Sequence, residues 1–161
     1  MNHVSRIKKL KIIFILVPLG FLAASCNKQT PTVSFGTGTV TIAGHILNVQ
    51  VARTAEAQAQ GLGERDSLPA DDGMLFVFPT PGRTAFWMKD TLIPLDFIWI
   101  RDGKVVEITT NVPVELNVPD AALHKYLPSE SIDSALEVNA GWAARNNIKV
   151  GDSVAVAIKT K

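Results

Sequence analysis

Six residues carry most of the chemistry this sequence can offer. Lys89 and Asp90 follow the aromatic run Phe86-Trp87-Met88 and precede Pro94, which places a cation and an anion in a short loop between two apolar segments. Asp96 interrupts the otherwise apolar stretch from Leu95 to Ile100, and Glu137 interrupts Ala135-Leu136-Glu137-Val138. A carboxylate on a buried strand must be ion-paired, protonated or reached by a cleft. Arg65 and Lys89 are the candidate partners for these carboxylates, and Trp87 is the candidate aromatic at the rim. We therefore expect Trp87, Lys89, Asp90, Asp96, Glu137 and Arg65 to gather as one binding site at the mouth of a cleft. If Asp96 and Glu137 converge, they could act as general acid and base on a glycan. For each carboxylate alone, capping of backbone amides or a structural ion pair accounts for the same pattern.

Other chemistries find less support. No Gly-x-Ser-x-Gly elbow is present, and no glycine-rich phosphate loop opens a helix after a strand. The only cysteine is Cys26, which excludes an internal disulfide framework and a four-cysteine metal site. His45 falls at a turn and His124 in a long irregular segment, and neither has a partner at zinc-like spacing. No metal and no cofactor is expected. Trp99 and Trp142 read as core residues, whereas Tyr126, beside His124 and Lys125, belongs to a segment able to act as a lid or partner surface.

The N-terminus reads as an address. Arg6, Lys8, Lys9 and Lys11 precede an uncharged run from Ile12 to Ala24, a basic start and short apolar core typical of a secretory signal over residues 1–25. The run is shorter than the roughly 20 residues of a comfortable membrane span. Ala23-Ala24-Ser25-Cys26 resembles the lipobox of bacterial lipoproteins, with Leu22 one position earlier than usual. Cys26 is the expected lipidation site, and residues 26–38, polar and with Pro and Gly, the tether. From residue 26 onward the chain holds 12 basic and 15 acidic residues, a net of −3. A mildly acidic domain without a basic run is a poor nucleic-acid binder.

The elements that must position the six residues are short. Thr39–Ile42 and Ile46–Val51 flank Ala43-Gly44 as a hairpin, and Leu95–Ile100 and Lys104–Thr109 flank Asp102-Gly103 as a second. Met74–Phe78 is a short apolar run expected to stop at Pro79, Ala135–Val138 a strand, and Val154–Ile158 the last strand. Thr54 can cap a short helix that Gly61 closes, and Ala140–Asn146 predicts another. Residues 110–134 form a long segment without regular pattern, a length usually functional or mobile. The prediction is a mainly β domain over 39–161, a sandwich or barrel of short, mostly antiparallel strands with two short helices.

Landmarks along this domain also resemble a family. Gly61-Leu62, Gly73-Met74-Leu75-Phe76, Phe86-Trp87-Met88-Lys89, Pro94-Leu95-Asp96, Leu136-Glu137 and Asn139-Ala140-Gly141, in this order, are similar to the bacterial and archaeal domain of unknown function 192 family. Gly63 stands where members often have Met, and Asp90 where they often have Asn. The resemblance implies a compact, mainly β fold and brings no settled activity. The expected function is a membrane-tethered extracytoplasmic binding or accessory module of the bacterial cell envelope, in the cell membrane or outer membrane. Its ligand would be a small polar molecule, a glycan or a partner segment. An envelope glycan hydrolase using Asp96 and Glu137 is a second class, and a scaffold docking an envelope protein through residues 110–134 a third.

Overall fold

Two tight turns set the register of two strand pairs in the sheet. At Ala43-Gly44 and at Asp102-Gly103 both central residues have positive φ, 48° and 83° in the first and 48° and 67° in the second. That backbone twist matches the twist of the flanking strands, and glycine at the second position takes it without strain. In the computed structural model, which describes residues 33–159, the first turn joins β1 (Gly36–Ile42) to β2 (His45–Ala52) and the second joins β4 (Leu95–Arg101) to β5 (Lys104–Val112). The signal segment and Cys26 lie outside the described residues. β1 begins at Gly36, inside the segment read as tether, where Gly36–Gly38 pair through backbone alone and leave no side-chain pattern to read.

The remaining elements are α1 (Ala55–Gln60), β3 (Asp72–Gly82), β6 (Ile132–Asn139), α2 (Trp142–Arg145) and β7 (Val154–Ile158). Asp120–Ala122 adds a single 3-10 turn. The strands form one seven-stranded sheet in the order β5-β4-β6-β3-β2-β1-β7. Neighbours are antiparallel except β2 and β3, which run parallel. Parallel neighbours need a crossover connection, and α1 with the turns after it supplies one. The expected mainly β fold with two short helices is therefore present. The sheet is not closed into a barrel. Its edges meet at one corner, where Val105 donates to the Asp152 carbonyl and Val154 to that of Gly103.

Apolar residues line both faces of the central strands. On one face Val40, Leu47, Leu75, Ile98, Leu136 and Val138 pack beneath Trp142 and Ala143 of α2. On the other, Met74, Phe76, Phe97, Trp99 and Ala135 pack beneath Ala57 of α1 and Phe86 and Met88 of the loop before β4. β3, β4 and β6 are thus buried on two sides, which is why their sequences run apolar without alternating. β3 extends beyond the expected stop at Pro79. Its pairing with β6 skips from Val77 to Gly82, and the prolines occupy that irregular stretch, where no ladder donor is needed.

Candidate functional site

β6 has to approach β3 closely for Glu137 to reach its place. Gly73 permits this, because a Cβ there would lie 2.7 Å from the Glu137 carbonyl oxygen. In the resulting register Gln50, Met74, Glu137 and Phe97 stand side by side across β2, β3, β6 and β4. Side chains in such a row share one face of the sheet. Asp96 pairs with Val138, one residue along, and so points to the opposite face.

This separation corrects the expected single cluster. Asp96 is fully buried and accepts three backbone N–H bonds: Asn111 (2.8 Å) and Gly141 (3.0 Å) on Oδ1, and Ala143 (3.0 Å) on Oδ2. Asn111 has φ 54°, and Gly141 and Ala143 open α2, so one carboxylate ties β4 to the end of β5 and to the first turn of the helix. Its oxygens are spent on structure. Asp96 and Glu137 cannot flank one glycosidic bond, because a sheet lies between their side chains.

Glu137 is different. It is 5% exposed, and its Oε2 is buried without a hydrogen-bond partner among the described residues. The other such atom is Trp142 Nε1, an uncharged donor on the far face. Burial pushes the Glu137 carboxyl up to about 8, and the Arg65 guanidinium offsets this only in part. Arg65 donates to Gln50 Oε1 and lies over the Phe35 ring at 5.9 Å.

Glu137 lines a cleft of ≈ 270 Å³ between α1, the end of β3 and the loop before β4. Thr54 caps α1 by accepting from Ala57 N–H at 3.2 Å. Gln58 fastens the helix to the sheet by donating to the Val77 carbonyl at 3.0 Å. Phe76, Phe78 and Phe86 form the wall, with Phe76 and Phe86 edge to face at 4.9 Å between centroids. The loop alternates: Phe86 and Met88 turn into the core, and Trp87 between them stays 41% exposed at the rim. A two-bond bridge to Tyr126 holds Phe86, so the 110–134 segment braces the cleft from outside.

Lys89 also lines the cleft, and its ammonium pairs with Asp120. That hydrogen bond and charge hold the ammonium above its usual range. Lys125 sits over the Trp87 ring at 3.6 Å. Asp90 lies in a neighbouring depression with Gln60, Gly63 and Glu64 rather than in the cleft. Its φ of 54° accounts for Asn or Asp at this position, since both tolerate the left-handed region better than most side chains. Of the six expected residues, the cleft brings together Trp87, Lys89 and Glu137. Arg65 reaches it only through its field, Asp90 is adjacent and Asp96 is on the other face. Sequence reasoning missed the aromatic wall, although Phe76 and Phe78 stand two apart on one strand, a spacing that puts them on one face.

Comparison with known proteins agrees with this fold. No curated protein matches the chain. Among solved structures, a chain described as a candidate transcription regulator from Sinorhizobium meliloti 1021 is 30% identical, with a TM-score of 0.70 over 78% of this chain and 97% of that one. A protein of unknown function from Novosphingobium aromaticivorans DSM 12444 is 33% identical, with a TM-score of 0.66 over 79% of this chain and 89% of that one. The family model DUF192, described as an uncharacterised ACR, matches residues 38–156, from within β1 into β7, and the chain belongs to that family.

Proposed function

We propose that this protein is a membrane-tethered, extracytoplasmic binding or accessory module whose cleft over Glu137 takes a small polar ligand. The tether rests on the basic start, the short apolar core and Cys26. The binding reading is carried by one observation, the unpartnered Glu137 oxygen beside an aromatic-walled cleft. A buried carboxyl kept for structure alone would be saturated by donors, as Asp96 is. The division of the two carboxylates between faces leaves the glycan hydrolase reading without its acid and base pair. A role on nucleic acid, suggested only by the description of one similar chain, finds no support in a segment of net charge −3.

Amide and indole NMR signals of the labelled full-length protein test the cleft. N-acetylglucosamine, acetamide and ethanolamine serve as probes at millimolar concentration. At least one should shift the signals of Gly61, Phe76 and the Trp87 indole in a saturable way. Silence of the cleft towards all three would reject the binding reading. The tether is tested separately by metabolic labelling with a fatty acid, which should mark the wild type and not Cys26→Ala.

A further inference from the structure

Glu137, once ionised, has no direct ion pair among the described residues, and the charge of Arg65 offsets its burial only in part. Lys89 is paired with Asp120, and Arg65 is held by Gln50 and rests over Phe35. Lys89 comes from the loop before β4 and Arg65 from the segment after α1, and Arg65 is the cation whose charge reaches the carboxyl. The strands on either side present Met74 and Phe97 at its level. Phe76, Phe78, Phe86 and Trp87 line the same cleft as Glu137. Aromatic walls with one desolvated carboxylate form an environment that attracts a cation on a short apolar stem.

Resting on the cleft-binding reading above, we propose that the ligand class is a primary organic ammonium, bound with its charge on Glu137 and its stem along the Phe76, Phe86 and Trp87 rings. Binding needs the ionised carboxylate, so a cation entering this cleft releases a proton from Glu137 at neutral pH. Apparent affinity should therefore rise about tenfold per pH unit up to about pH 8 and level off above it.

The test compares n-butylammonium with 1-butanol and with butyrate on the full-length protein, using the Trp87 indole signal at pH 6, 7 and 8.5. The cation should bind at least about tenfold more tightly than the alcohol at pH 8.5, as expected for one charge-assisted hydrogen bond. Butyrate should be weaker still. Glu137→Gln should abolish the preference for the cation and its pH dependence. Trp87→Ala, read through the Gly61 amide, should weaken the cation without removing that pH dependence. If 1-butanol or butyrate fills the cleft as well as the cation does, the ammonium assignment is overturned while the binding site stands. If neither these three nor ethanolamine perturbs the cleft, the assignment is overturned too, and N-acetylglucosamine and acetamide then decide whether the site binds anything.

Discussion

Asp96 and Glu137 occupy the same kind of sequence position, each a carboxylate inside an apolar strand, yet they sit on opposite faces of one sheet in opposite circumstances. Asp96 meets three backbone donors and shows no surface. Glu137 meets none on Oε2 and borders a cleft. The first face is sealed by α2, whose own amides need an acceptor. The second is covered by α1 and by loops that leave a gap. A buried charge is therefore informative only together with its donors. Satisfied, it holds a fold in register; unsatisfied beside a cavity, it marks where a ligand can contribute what the protein withholds.

The largest test of this contrast is Asp96→Ala. It strands three N–H groups, that of Ala143 buried and those of Asn111 and Gly141 part-buried, and should cost about 3 kcal/mol, read as a lower denaturation midpoint in guanidinium. A small change would mean that α2 finds other acceptors, and the two carboxylates would no longer differ in kind.

Glu137 should act through pH. Its carboxyl has an unperturbed value of 4.5 and stands at about 8 when folded, so between these values the folded state holds a proton that the unfolded state has lost. Stability should then fall with rising pH by up to about 1.4 kcal/mol per unit across that window and flatten above it. Glu137→Gln should remove the slope and leave the variant more stable than the wild type at pH 8.5. Parallel stability profiles for the two proteins would show that Glu137 is paired after all.

Thr54→Ala removes the cap of α1 and should cost about 1 kcal/mol while loosening one wall of the cleft. Hydrogen exchange should quicken in α1 and remain unchanged in α2, if the two faces are independent. The smallest effect belongs to Asp120→Ala. The denaturation midpoint should stay where it is, and the Lys89 ammonium, followed by NMR, should titrate closer to its ordinary range.

How much of this was legible in the sequence follows from the range of each signal. The hairpins at Ala43-Gly44 and Asp102-Gly103 are written in adjacent residues, and so is the cap at Thr54. The pairing of β2 with β3 is not, because a parallel neighbour is chosen by packing after the chain has crossed over. The assignment of Asp96 and Glu137 to one site failed for a related reason. Which face a residue takes depends on the register between β4 and β6, and strands that are apolar on both sides carry no alternation from which to read it. Trp87 was a rim candidate without a pattern to place it, because Phe86, Trp87 and Met88 are all apolar and only the fold leaves the middle one exposed. The aromatic wall was hidden because its members come from β3 and from the loop before β4, two segments that only the fold brings together.

The sheet also sets an order in time. β7 lies beside β1, and Lys159 N–H donates to the Thr37 carbonyl, so the last of the described strands is the neighbour of the first. During synthesis at ~5–20 residues per second, β1 would wait on the order of ten seconds with its outer edge unpaired. Val40 and Ile42 would wait with it for Val154, which completes their side of the core. An unpaired strand edge is sticky, and only its proper partner or another chain can cover it. A chain cut short before Val154 would keep that edge open permanently. It should therefore associate with its own copies rather than fold into a slightly smaller version of the same molecule.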